Sequence, residues 1–147
     1  MTIGHEAALA TARELISAAG WLGYVGECYS RTQLVEVDAR AVRRHVGTAI
    51  GATYDVLRPV WTLYPDLDPG RSENPLGITK DDPPSDAACT RERTLEAVER
   101  LATVLAEQVP MLTAPLDLAG VSQIEKWARE ANAALDALRR RLDGNGR

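Results

Sequence analysis

Hydrophobic side chains recur every three or four residues in four segments of this chain, which is the spacing of an amphipathic α-helix. The first predicted helix covers about residues 4–29, with Arg13 and Glu14 off its apolar face. The sequence Ser30-Arg31-Thr32-Gln33 matches an N-terminal capping box, so the first helix should stop near Tyr29 and the next begin near Arg31. The first apolar face comprises Leu9, Ala12, Leu15, Ile16, Ala19, Leu22, Gly23 and Gly26.

The second predicted helix is the longest and covers about residues 31–64, with an apolar stripe that begins at Val35. Pro59 lacks an N–H and its ring clashes with the preceding turn, so a kink or break is predicted there. Residues 65–85 follow, and their proline and glycine content is incompatible with a helix or a central strand. This segment is therefore predicted to be a long irregular loop.

The third predicted helix covers about residues 86–109, with Ser85 or Asp86 as its N-cap and Pro110 at its end. The fourth covers about residues 118–143 and has apolar residues in alternating steps of three and four, as in a coiled-coil seam. A second capping-box match at residues 122–125 supports a helix start in this region.

Four helices that each carry one apolar stripe have to bury those stripes against one another. The sequence therefore predicts an all-α chain, a single domain over residues 1–147 folded as a four-helix bundle. Short links favour antiparallel hairpins of helices 1–2 and 3–4, and the long proline-rich loop joins the two hairpins. That loop is long enough for either an adjacent or a crossover connection.

Composition narrows the class of partner. The formal net charge is −4, whereas nucleic-acid-binding proteins usually carry a basic surplus, so no nucleic-acid partner is expected. No apolar run approaches the ~20 residues that span a bilayer, so no membrane segment is expected. The N-terminus lacks the basic and apolar regions of a signal peptide, and a cytoplasmic location is the default prediction.

Metal and catalytic patterns are missing from the sequence. The soft ligands His5, Cys28, His45 and Cys89 form none of the close pairs typical of zinc sites. Two cysteines do not make a disulfide framework, and in an up-and-down bundle they are expected near opposite ends, away from a shared metal site. No nucleophile motif or phosphate-binding loop is recognisable. The expectation is a protein without metal or cofactor that leans away from enzymatic activity.

A second apolar cluster on the first helix gives the preferred functional hypothesis. Trp21, Tyr24, Val25 and Cys28 lie opposite the apolar stripe, and aromatic residues are enriched at interfaces. This face is predicted to bind a second copy of the chain, forming a homodimer, or a protein partner. The alternative is that the helix bends or that the long loop covers the cluster.

The competing hypothesis is a small-molecule-binding bundle or a small enzyme. Helix bundles build binding sites between their helices, and the long loop offers a second location. Here His45, Trp61 and Tyr64 would be wall or acid–base residues of a pocket.

Overall fold

The computed structural model describes residues 3–68, 89–114 and 118–143, and every regular element in these ranges is helical. The predicted all-α class is thus confirmed for this part of the chain. The elements are α1 (His5–Gln33), α2 (Glu36–Val56), α3 (Arg58–Leu63), a 3₁₀ turn (Pro65–Leu67), α4 (Arg91–Thr113) and α5 (Leu118–Asp143).

The helices pack against one another around a shared aliphatic core. α1 packs against α2 and α4, and α5 packs against the same two helices. Burying a leucine side chain stabilises the fold by about 1.5–3 kcal/mol, so the leucine-rich stripes are the main source of stability. The fully buried leucines are Leu15, Leu22, Leu57, Leu67, Leu101, Leu105, Leu112, Leu135, Leu138 and Leu142.

Contacts between helix ends show the direction of each helix. Thr11 Oγ1 donates a hydrogen bond of 2.9 Å to Gln108 Oε1, so the first turns of α1 lie beside the last turns of α4. Arg91 Nη1 donates to the backbone oxygen of Leu142 at 3.0 Å, which pairs the start of α4 with the end of α5. α4 therefore runs antiparallel to both α1 and α5.

A third contact gives the direction of α2. Arg141 Nη1 donates to Asp38 Oδ1 at 3.3 Å, so the end of α5 lies beside the start of α2. α2 and α4 consequently run in the same direction, and the described residues Asp68 and Cys89 lie at opposite ends of the molecule.

The two cysteines meet, which corrects the expectation that they lie at opposite ends. Cys28 and Cys89 form a disulfide with their Cα atoms 5.4 Å apart. The prediction was wrong because it placed the start of the third predicted helix, with Cys89, at the end of the bundle opposite the link between the first two helices. Since α4 runs parallel to α2, its start lies beside the end of α1.

Two predicted helix starts also differ from the structure. Ser30 is not an N-cap: it lies within α1, where its hydroxyl donates to the backbone oxygen of Glu27 at 2.8 Å. The N-cap of α4 is Thr90, whose side chain accepts from the backbone N–H of Arg93 at 3.1 Å. The predicted caps at residues 85 and 86 lie outside the described residues.

Proline has different effects at its two helical positions. Near Pro59 the chain interrupts its helix at Leu57, and Pro59 falls in the first turn of α3, where a missing N–H costs nothing. Pro110 was expected to end its helix, but α4 continues to Thr113. Ala106, the residue whose carbonyl loses its helical partner, is exposed and can hydrogen-bond water.

Two glycines bring α1 close to α2. A Cβ atom on Gly26 would lie 2.9 Å from Cγ2 of Val46, and one on Gly23 would lie 3.2 Å from Cδ1 of Ile50. The absence of a side chain at Gly26 is thus required by the close approach of the two helices. The α1–α2 contact is set by glycine as much as by the leucine stripe.

Candidate functional site

A one-residue interruption at Leu57 separates the end of α2 from α3. The backbone N–H of Leu57 donates to the oxygen of Tyr54 at 3.0 Å, and that of Trp61 donates to the oxygen of Leu57 at 3.1 Å. Leu57 is fully buried, so the interruption is anchored in the core. Short α3 carries Arg58 and Thr62 on its exposed side, between two grooves.

The first groove lies between the end of α2, α3 and the 3₁₀ turn, and has a volume of about 660 Å³. Its aromatic wall is formed by Tyr54 and Trp61, whose rings meet edge to face with centroids 6.0 Å apart. Burial raises the pKa of the Tyr54 phenol, which therefore stays protonated and can donate a hydrogen bond at neutral pH. The groove is lined by Tyr54, Asp55, Arg58, Trp61, Thr62, Pro65 and Asp68.

The second groove lies on the other side of α3, against the first turns of α5, and has a volume of about 440 Å³. Its lining is more apolar than that of the first groove. Trp127 of α5 lines it together with Pro59 and Leu63 of α3. The lining residues are Asp55, Arg58, Pro59, Thr62, Leu63, Gly120, Gln123 and Trp127.

One charged pair belongs to both grooves. Arg58 Nε donates to Asp55 Oδ1 at 2.6 Å, with the Asp55 side chain 20% exposed and the Arg58 side chain 73% exposed. Since Asp55 uses one guanidinium nitrogen, the remaining N–H groups of Arg58 can bind an anionic or carbonyl oxygen of a ligand. The pair thus places a positive hydrogen-bond donor on the rim that separates the grooves.

The indole N–H of Trp61 is buried and has no hydrogen-bond partner among the described residues. An unpaired buried donor lowers the stability of the folded protein by about 1–3 kcal/mol, so such groups are uncommon. A hydrogen-bond acceptor placed next to the donor would remove this cost. Trp61 lines the first groove, where an acceptor from a bound molecule could satisfy this donor.

Of the three predicted pocket residues, Trp61 lines the first groove, whereas His45 and Tyr64 are not among the described lining residues of either groove. His45 lies 11 residues before the end of α2, about 16 Å along the helix axis. Burial lowers its pKa first, followed by the charges of Arg141 and Arg140 near the end of α5 and of Arg44 on α2. The grouping of His45 with Trp61 is therefore corrected, because α2 carries His45 away from α3.

Tyr64 stabilises the N-terminal segment and lines neither groove. Its hydroxyl donates to the backbone oxygen of Ile3 at 2.8 Å. Its ring meets the ring of His5 edge to face at 5.0 Å, and His5 Nε2 lies 2.8 Å from Asp66 Oδ2. These contacts connect the start of α1 to the 3₁₀ turn and give Tyr64 a structural role.

The predicted interface cluster on α1 is divided by the fold. Val25 is fully buried and Cys28 is 4% exposed, so neither lies on a free surface, which corrects their placement on a separate face. Trp21 and Tyr24 are partly exposed, with Trp21 packed against the core. The single-stripe interpretation failed because α1 contacts two helices, α2 and α4, and needs a wider apolar arc.

The sequence reasoning missed Tyr54, Asp55, Arg58, Thr62 and Trp127 as groove residues. Pro59 was the available signal, because a helix break next to aromatic and charged residues exposes them around a bend. The contribution of Trp127 depends on where α5 packs, which no local pattern contains.

In the described ranges, no group of three His, Cys, Asp or Glu side chains is arranged to hold a metal ion. The helices described here also include none whose length and apolar character would let it cross a membrane. Comparison with family models, curated proteins and solved structures finds no match to this chain.

Proposed function

We propose that this chain is a non-catalytic binding protein in which a four-helix bundle carries its ligand site in the two grooves beside α3. The ligand class is a small molecule with a flat apolar body and a hydrogen-bond acceptor, preferably anionic. Its body would lie against Trp61 or Trp127, and its acceptor would receive the Trp61 N–H or the free N–H groups of Arg58.

The observation that carries this proposal is the buried Trp61 N–H beside the first groove, which has no partner in the part of the chain that the structure describes. Tyr54 and Trp61 supply apolar surface there, and ligand pockets typically combine such surface with few polar groups. The donor and the aromatic wall lie in one groove, so a single ligand could use both.

The lining residues support binding rather than catalysis. Among the described lining residues there is no Cys, Ser, His or Lys, and the carboxylates are those of Asp55 and Asp68. The Thr62 hydroxyl already donates to the backbone oxygen of Arg58 at 3.1 Å, and Asp55 is paired with Arg58. The polar groups of the site are thus suited to holding a ligand in place.

The test uses the three tryptophan indole N–H signals in a ¹⁵N NMR spectrum, assigned by Trp→Phe variants. 2-Naphthoic acid, a flat aromatic carboxylate, is the probe. We expect saturable movement of the Trp61 signal, weakened several-fold by Arg58→Gln, with Trp21 as the internal control. Movement of Trp21 alone, or no saturable change at Trp61 and Trp127, would refute a site beside α3.

A second candidate function is self-association through α1. It is favoured by Trp21 and Tyr24, which lie one turn apart and remain partly exposed. Sedimentation velocity at micromolar concentration should then show a dimer that Trp21→Glu dissociates. The control variant Arg129→Glu, at an exposed position of α5, should leave the dimer intact. A monomer at all concentrations, in both the parent protein and the variants, would exclude this function.

A further inference from the structure

The Cys28–Cys89 disulfide joins two helices at the end of the molecule opposite the α3 grooves. Cys28 lies in the last turns of α1, and Cys89 precedes Thr90, the N-cap of α4. Both cysteines are buried, at 4% and 1% exposure. The bond therefore holds the first turn of α4 against the end of α1.

The same end carries polar links between the other neighbouring helices. Arg91 of α4 donates to the oxygen of Leu142 in α5, and Arg141 of α5 donates to Asp38 in α2. α2 follows α1 after only two residues, 34 and 35. Each long helix is thus joined to the next at this end, and α1–α4 is the junction made by the disulfide.

The position of the disulfide along the chain gives it a large stabilising effect. The cysteines are separated by 61 positions, and the chain between them includes all of α2 and α3. A crosslink that closes a loop of this length strongly restricts the unfolded chain. Breaking it would also leave the start of α4 held by noncovalent contacts alone.

We propose that Cys28 and Cys89 form a redox-dependent clasp: the disulfide keeps the start of α4 docked on α1, and reduction releases it. This is a covalent switch independent of the proposed ligand site. It would make the stability of the protein depend on the thiol–disulfide balance of its surroundings.

The bond forms by exchange with a low-molecular-weight disulfide such as oxidised glutathione. One cysteine thiolate attacks a glutathione sulfur and releases one glutathione thiolate, leaving a mixed disulfide. The second cysteine thiolate attacks the mixed disulfide and releases the other glutathione. The two protein thiols lose two protons and two electrons, and the oxidant becomes two glutathione thiols. Because both sulfurs are buried, exchange requires the α1–α4 junction to open.

The first test counts thiols and measures melting. After equilibration with oxidised glutathione, maleimide labelling in denaturant should find no free thiol by mass spectrometry. A phosphine reductant should expose two thiols and lower the melting temperature by roughly 5–15 °C. The matched control is Cys28→Ala/Cys89→Ala, whose melting temperature should not respond to the reductant.

Limited trypsin digestion locates the change. Reduction should speed cleavage after Arg91 and Arg93 at the start of α4 several-fold, with cleavage after Arg129 in α5 unchanged. Any one of three results would overturn the clasp. These are two labelled thiols after oxidation, equal melting temperatures of the oxidised and reduced protein, and unchanged cleavage at the start of α4.

Discussion

At the scale of single residues, glycine and histidine show how neighbours decide the effect of a side chain. Gly26 and Gly47 are both helical, yet Gly26 faces Val46 at close range and Gly47 faces open space. His45 has an ordinary position on α2 but sits among three arginines. Residue type alone predicts none of these differences, because each depends on a partner from another helix.

Alanine at these two glycines should have opposite effects. Gly47→Ala should raise the free energy of unfolding by about 0.5–1 kcal/mol, the gain from replacing glycine inside a helix. Gly26→Ala should lower it by ~1–2 kcal/mol, because its Cβ would overlap the stiff, β-branched Val46. Urea denaturation of the two variants measures both. Equal stabilisation by the two substitutions would show that α1 and α2 are not in close contact.

The charge around His45 should be visible in its titration. Its pKa is lowered from the ordinary value of 6.5, first by burial and then by Arg141, Arg44 and Arg140. Arg140→Gln should therefore raise the pKa, whereas Arg129→Gln should leave it unchanged. NMR titration of the imidazole measures this shift. An unchanged pKa in Arg140→Gln would show that the charge of Arg140 does not act on His45.

The same depressed pKa has a consequence for stability. The unfolded chain binds a proton at a higher pH than the folded chain does. The contribution of His45 is therefore complete above its unfolded pKa and is lost as the pH falls through the folded value. His45→Gln should flatten the pH dependence of the unfolding free energy over that interval.

At the scale of elements, local patterns locate helices better than they locate helix ends. The apolar periodicity predicts residues 118–143 as a helix, and α5 spans Leu118–Asp143. The Ser30 motif failed because a serine hydroxyl can also donate to a carbonyl of its own helix, here that of Glu27. The cap at Thr90 was missed because the region was expected to be already helical.

Removing the Thr90 cap should weaken α4 in a side-chain-specific way. Thr90→Ala should lower the free energy of unfolding by about 1 kcal/mol, because the N–H of Arg93 loses its acceptor. Thr90→Ser keeps the hydroxyl and should retain most of that stability. Urea denaturation compares the two variants, and equal losses would mean that the hydroxyl does not cap the helix.

At the scale of the whole molecule, helix direction decides which residues meet. Amphipathic stripes predict that helices pack, but they fit up-and-down and crossover arrangements equally well. The parallel course of α2 and α4 brings Cys89 to Cys28 and leaves the α3 grooves at the other end. The disulfide was thus beyond sequence reasoning, because it depends on the direction of α4, and the second groove was missed because it depends on where α5 packs.

The direction of α4 is the feature on which the disulfide and the separation of the two ends depend. It can be measured with pairs of nitroxide labels on a genetically encoded keto amino acid, which leaves the cysteines intact. Labels at exposed positions 40 and 93 should lie at the same end, whereas position 107 lies roughly 21 Å farther along α4. Double electron–electron resonance should therefore give a shorter distance for 40–93 than for 40–107. The reverse order would mean that α4 runs antiparallel to α2 and would contradict the parallel course of the two helices.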